Sequence, residues 1–218
     1  GHEVAGEVVE IGDGVDRGLV GKRVAVEIIG QGRACTTCWY CRQGQFRTCQ
    51  NMAPPEGGGF AEYIKRNAIG CYPFPDSLSW EEGALVEPLA VSVHGVRRGE
   101  LKGGETVVVL GAGNIGLTSV VAARAFGAGK VLVTARHEQQ AAMAKRLGAD
   151  YTLPPDGPAL VEALAEVTNG HSLLDPVFGV EFGNYLVNFE ILKERFFDAD
   201  FLPSGDIIRK LVHHFTDE

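Results

Sequence analysis

Three short runs of apolar and β-branched residues, separated by Gly- and Asp-rich turns, open the chain: EVAGEVVEI at 3–11, RVAVEII at 23–29 and FAEYIKR at 60–66. Runs of this kind read as strands and predict a small β-barrel or sandwich. The stretch Ser79-Trp80-Glu81-Glu82 has the form of a capping box, Ser at the cap and Glu three residues on, so a helix is predicted from there to about Val86. Pro88 lacks an N–H, which predicts a break at Glu87 and a second helical stretch over about Leu89–Arg97. The polar turn RRGELKGGE at 97–105 is the predicted domain boundary.

Beyond that turn the pattern changes. TVVVL at 106–110 is an uninterrupted apolar run, as in a parallel-sheet strand buried on both faces. GAGNIG follows, then a helical stretch to Phe126 that stops at Gly127. KVLVT at 130–134, a helix over about Glu138–Leu147 and a short YTL strand complete a β-α-β-α-β order, the doubly wound pattern. Residues 158–169 carry Leu160, Leu164 and Val167 on one helical face. The expected organisation is therefore a β-domain over 1–98, a dinucleotide-binding portion over 99–169, and a segment of no clear period over 170–218.

The chain has 218 residues, 45% of them hydrophobic and 22% charged, ordinary for a soluble globular protein with a substantial core. Twenty basic against 28 acidic residues give a net charge of −8, which argues against nucleic acid or an anionic membrane surface as partner. No apolar stretch reaches the roughly 18 residues of a membrane span. The first residue is Gly1 and the motif it opens belongs well inside a complete domain, so a fragment of a longer protein is expected.

Cys35, Cys38, Cys41 and Cys49 lie within fifteen residues, in CTTCWYCRQGQFRTC. This spacing lets one loop wrap a tetrahedral ion with four thiolates, the pattern of a structural zinc site. Two disulfides would need an oxidising compartment, and the chain shows no secretory signal. A zinc ribbon that binds nucleic acid shows two separated CxxC pairs and a basic surface. Cys71, the fifth cysteine, reads as a small buried hydrophobe. A thiolate-rich metal site in an acidic chain without a signal fits a reducing cytoplasm.

Gly111-Ala112-Gly113-Asn114-Ile115-Gly116 is GxGxxG directly after a strand and opening a helix, the context a dinucleotide fingerprint requires. The glycines serve the tight turn, close approach to a pyrophosphate and helix-on-strand packing, and the helix start supplies N–H groups to the phosphates. At the end of the second strand stand Ala135 and Arg136 where an acidic residue would select NAD. Arg136 could pair a 2′-phosphate, so NADP is favoured; Glu138 keeps NAD open. A catalytic zinc takes three protein ligands and leaves one position open. His2 can supply nitrogen, and Glu3 or Glu87 oxygen. His94 reads as structural, and His213 and His214 as surface residues.

Taken together, GHEVAGEVVEIG (1–12), VGKRVAVE (20–27), the cysteine lobe, GGFAEY (58–63), EPLAVSVHGV (87–96) and GETVVVLGAGNIG (104–116) with its sequel to LGAD (147–150) resemble the zinc-dependent medium-chain dehydrogenase/reductase family, near its sorbitol, threonine and alcohol dehydrogenases. The resemblance covers about residues 1–169. It implies a GroES-like β-barrel portion followed by a partial Rossmann sheet. It places His2, Glu3 and Glu87 at the family's catalytic zinc, Glu87 standing where other alcohol dehydrogenases carry a cysteine.

The activity so implied is hydride transfer between a polyol or secondary alcohol and NAD(P), by way of a zinc-bound alkoxide. A dimer or tetramer is implied for the full-length protein, with the cysteine lobe as a prop near the subunit contact. The family also supplies a catalytic-site cysteine upstream of GHE, so the alternative is an inactive zinc- and nucleotide-binding fragment. DPVFGVEFGN at 175–184 is faintly similar to the family's fourth strand, and SGDIIRKLVHHF at 204–215 to a stretch near its C-terminal return. An internal deletion or a joined gene fragment is therefore expected there.

Overall fold

The structure is a computed structural model that describes residues 1–54, 57–169, 178–182 and 185–192. It divides into two compact units, Gly1–Ala90 and Val91–Glu218. The division falls ahead of the polar turn at 97–105.

The first unit carries a three-stranded antiparallel sheet, β1 (Val4–Glu7), β2 (Arg23–Val26) and β3 (Cys71–Pro73), in that order. Val4 pairs with Val26 and Glu7 with Arg23; Val26 pairs in turn with Cys71. Val24, Val26 and Ile28 form the buried centre, against which Val4, Val8, Leu19, Ile64 and Cys71 pack. Cys71 is therefore a half-buried core neighbour. The run at 60–66 is not a strand. Ile64 reaches the core, but Phe60 and Tyr63 lie in solvent at 95% and 77% exposure, and the strand forms later, at Cys71. A run of strand-forming residues makes a strand only where it finds a core to pack against. Arg23 clamps the next turn: its guanidinium donates to the Leu78 carbonyl at 2.7 Å and lies 4.1 Å from the Trp80 ring centre.

A four-residue helix, α1 (Trp39–Arg42), lies in the cysteine loop. The capping box forms as expected: Ser79 Oγ accepts from Glu82 N at 3.1 Å and a Glu82 carboxylate oxygen from Ser79 N at 2.7 Å, opening α2 (Trp80–Ala84). The next helix, α3, runs Val86–Arg98, so the break falls at Leu85 rather than at Glu87. Pro88 is the third residue of α3, where a backbone N–H has no helical acceptor to lose.

In the second unit the order is β4 (Thr106–Val109), α4 (Asn114–Ala125), β5 (Lys130–Thr134), α5 (Glu138–Arg146), β6 (Tyr151–Leu153), α6 (Gly157–Val167), β7 (Phe178–Phe182) and β8 (Tyr185–Leu192). The sheet runs β6-β5-β4-β8-β7. Its β4, β5 and β6 are parallel, Val107 level with Val131 and Val133 with Thr152. Alternate residues face opposite cores: Val107, Val109, Val131 and Val133 pack with Val120, Ala123 and Ala144, while Val108 and Leu132 pack with Leu160 and Leu164 of α6. Both faces are covered, which is why these strands read as unbroken apolar runs.

One element departs from the parallel expectation. β8 pairs antiparallel with β4, Thr106 level with Leu192, and β7 antiparallel with β8. Two residues between β7 and β8 allow a hairpin but no crossover, which makes β7 and β8 antiparallel to each other. The stretch at 204–215, with His213 and His214, lies outside the described residues. Among the described residues no helix is long and apolar enough to cross a membrane.

Candidate metal and cofactor sites

The cysteine loop folds by local turns. Cys38 caps α1 in extended conformation (ψ 167°) and Cys41 lies in its last turn. Gly44, at φ +75°, reverses the chain, and Gln45 N–H donates back to the Tyr40 carbonyl at 2.9 Å. A 3-10 turn over Phe46–Thr48 then delivers Cys49. The four sulfurs lie within 4.8 Å of one another. Cys35 and Cys41 Sγ are 4.0 Å apart, Cys38 and Cys41 Sγ 3.5 Å. Four thiolates around zinc at about 2.3 Å would be separated by about 3.8 Å, so the set fits the ion. All five cysteines are free.

Backbone donors prepare these sulfurs for the charged form. Cys38 N–H donates to Cys35 Sγ at 3.4 Å and Cys35 N–H to Cys49 Sγ at 3.3 Å. Bonds from the Thr37 hydroxyl and from the backbone of Thr37 and Cys38 bring the Cys35 thiol down to about 5. The Cys41 and Gln50 backbone lowers Cys38. Burial pushes Cys41 up to about 12. Two sulfurs favoured as thiolates beside one that holds its proton belong to a set that a divalent cation completes by displacing the protons that remain.

The second cluster joins both ends of the first unit. His2 and Glu3 precede β1, where Gly59 N–H donates to the Gly1 carbonyl at 2.7 Å. Glu87 is the second residue of α3. One ligand atom of each of His2, Glu3 and Glu87 lies within 4.8 Å of the others. His2 Nε2 is 4.0 Å from Glu87 Oε1, the imidazole half-exposed and the carboxylate more buried. Burial raises the Glu87 pKa; His2 counters this, Glu3 and Glu27 add to it, and Arg47 lowers it. One nitrogen and two carboxylates are a donor set suited to zinc, and the surplus negative charge calls for a cation. Arg47, on the 3-10 turn that leads to Cys49, was not singled out from sequence; only in the folded chain does its charge act on Glu87.

In the glycine loop each glycine has a different cause. Gly111 sits at φ +97°, a backbone that side chains rarely adopt. A Cβ at Gly116 would overlap the Gly111 carbonyl oxygen. Gly113 has φ −79° and would meet nothing within 4 Å, so the chain itself does not demand glycine there. That open backbone caps α4 with no side-chain bond, leaving the N–H groups of Asn114, Ile115 and Gly116 at the helix start for a phosphate. Half-buried Ala135 and exposed Arg136 leave β5, followed by exposed His137 and Glu138. Thr134, unnoticed in the sequence, accepts from Gly111 N–H at 2.8 Å. His94 is exposed on α3.

Residues 1–76 match the family described as alcohol dehydrogenase GroES-like domain, and 114–179 the one described as zinc-binding dehydrogenase. The chain is 39% identical over 173 residues to a sorbitol dehydrogenase of Bacillus subtilis (strain 168), covering 78% of this chain and 48% of that protein. A short chain alcohol dehydrogenase from Escherichia coli CFT073, solved with NADH, superposes with a TM-score of 0.67 at 30% identity, over 77% of this chain and 50% of that one. A zinc-binding dehydrogenase of Sinorhizobium meliloti 1021, solved with NADP, gives 0.63 at 34% identity, over 73% and 49%. The chain thus spans about half the length of the relatives it matches.

Proposed function

Because the chain belongs to the zinc-dependent medium-chain dehydrogenase/reductase family, we propose that it carries the metal and cofactor sites of an oxidoreductase that moves a hydride between a polyol or secondary alcohol and NAD(P). The observation that carries this reading is the convergence of His2 and Glu3 with Glu87, distant in sequence, on one small volume. His2, Glu3 and Glu87 would hold a zinc that supplies Lewis-acid chemistry at a substrate oxygen. His2 offers a nitrogen, and the two carboxylates supply negative charge that matches a divalent ion. Arg47 and His2 favour the ionised form of Glu87 against its burial.

Cys35, Cys38, Cys41 and Cys49 would hold a second zinc as a closed structural site. In the second unit, Gly111, Gly113, Asn114, Ile115 and Gly116 would receive the pyrophosphate, the open backbone at Gly113 facing it. Ala135 leaves room for the ribose, and Arg136 would pair a 2′-phosphate, favouring NADP over NAD. The substrate class follows the sorbitol dehydrogenase relative.

The test is a titration of NADP and NAD, with a count of bound zinc and a screen of polyols and secondary alcohols for cofactor reduction. Two zinc ions per chain, dinucleotide binding and reduction with a polyol support the reading. Zinc at the cysteines alone, with no dinucleotide bound, overturns it.

A further inference from the structure

Three buried hydroxyls and a half-buried one, Thr118, lie at the two ends of the glycine loop, and metal binding and hydride transfer use none of them. At one end Thr134, closing β5 and only 3% exposed, accepts the Gly111 N–H at 2.8 Å. At the other, the Ile115 carbonyl receives three hydroxyls: Ser119 at 2.6 Å, Thr118 at 3.0 Å and Ser92 at 3.2 Å. Ser92 comes from α3, and its Oγ lies 2.7 Å from that of Thr118 and 3.1 Å from that of Ser119. Ser92 and Ser119 are wholly buried, in a core of Val96, Val120, Ala122 and Ala123.

Packing does not ask for these groups. A hydroxyl costs free energy in a dry apolar core unless it is bonded, and Ser and Thr inside a helix are poorer helix formers than the Ala around them. Their shared effect is on one segment. Thr134 holds the backbone where the loop leaves β4, and the Ser92 group holds it where α4 begins. Between these ends a Cβ at Gly113 would meet nothing within 4 Å. The loop is fixed at both ends and open in its middle, where a pyrophosphate would approach.

We infer that Thr134 and the Ser92–Thr118–Ser119 group are positioning residues that hold the Gly111–Gly116 backbone ready for a dinucleotide pyrophosphate. They touch no ligand and act by fixing where the loop's N–H groups point, which lowers the ordering cost of binding. This rests on the dinucleotide reading above.

The test uses the full chain with Thr134→Val, which keeps the shape and loses the acceptor, Thr134→Ser, which keeps the hydroxyl, and Ser92→Ala. Two quantities are read: affinity for ADP-ribose against adenosine, which lacks the pyrophosphate, and amide hydrogen exchange over 111–116 without ligand. Thr134→Val and Ser92→Ala should weaken ADP-ribose about fivefold, the value of one hydrogen bond, and leave adenosine within about twofold. Thr134→Ser should restore binding, and exchange at 111–116 should quicken in Thr134→Val while β4 and β5 stay as they were. Unchanged exchange in that segment overturns the inference, as does a Thr134→Ser as weak as Thr134→Val, or an equal loss for both probes. A wild-type chain that binds no ADP-ribose would sink the cofactor reading instead, and the exchange comparison would still decide the role of the hydroxyls.

Discussion

His2 Nε2 and Glu87 Oε1 face each other across 4.0 Å. That is too long for a hydrogen bond and close to the span of two ligands on one zinc at about 2.0–2.2 Å each. On the proposed reading, Glu87→Ala should therefore lower bound zinc from about two to about one per chain, with the fold intact. Glu87→Cys should keep the ion, because a thiolate is an equally good ligand. Zinc counting on freshly purified, reduced protein checks both; two ions retained in Glu87→Ala would remove Glu87 from the metal site.

The cysteine lobe responds independently. Cys41 is the most buried of the four and its sulfur lies within 4.0 Å of two others. Cys41→Ser should also remove one zinc, and lower the melting temperature, because a structural ion contributes its binding energy to folding. Glu87→Ala should lose the other ion, and the double variant both.

Much of this was legible in the sequence, for physical reasons. Four thiols within one loop have few ways to be arranged, so Cys35 to Cys49 could be read without tertiary structure. TVVVL and KVLVT are strands because both their faces are buried, and their apolar runs say so. FAEYIKR misled because residue type records the side chains and not whether a core awaits them; Phe60 and Tyr63 lie in solvent. Pro88 moved the expected break by two residues, since the same residue tolerated in a first helical turn would interrupt a later one. The approach of Arg47 to Glu87 and of Thr134 to Gly111 depends on chain reversals that leave no periodic trace.

Gly113 and Gly116 should separate binding from folding. A Cβ at 116 meets the Gly111 carbonyl, so Gly116→Ala should unfold at lower temperature and bind no dinucleotide. Gly113→Ala meets nothing in the chain, so its melting temperature should hold within about 2 °C while dinucleotide affinity drops by roughly tenfold or more, as the methyl stands where the pyrophosphate approaches. Calorimetry and a binding titration on both variants check this; equal dinucleotide affinity in Gly113→Ala and wild type would deny that the loop holds phosphate.

The capping box supports the helix that leads to Glu87, and it sets a pH dependence. Ser79→Ala should cost about 1 kcal/mol at neutral pH. The Glu81 backbone N–H and the Ser79 hydroxyl lower the pKa of Glu81. A carboxylate lowered in the fold adds stability above its ordinary value near about 4.3, and that stability is lost as pH falls through the lowered folded value. The penalty for Ser79→Ala should therefore shrink in acid below that range. Denaturant melts at neutral and acid pH check it, and a penalty that grows in acid would reverse the sign.

On the proposed reading, cofactor choice turns on Arg136. It stands exposed two residues past the end of β5, where an acidic side chain would repel a 2′-phosphate. A guanidinium there can make a charge-assisted bond to that phosphate and has nothing equivalent to gain from the bare 2′-hydroxyl of NAD. Arg136→Ala should weaken NADP about tenfold, the value of one such bond, and leave NAD within about twofold. Arg136→Asp should go further and prefer NAD, since the carboxylate accepts from the ribose and repels the phosphate. Salt should weaken NADP more than NAD in the wild type, because that contact is a solvent-exposed charge pair. A wild-type chain that binds NAD tenfold tighter would assign the ribose to Glu138 and leave Arg136 as a solvated surface charge.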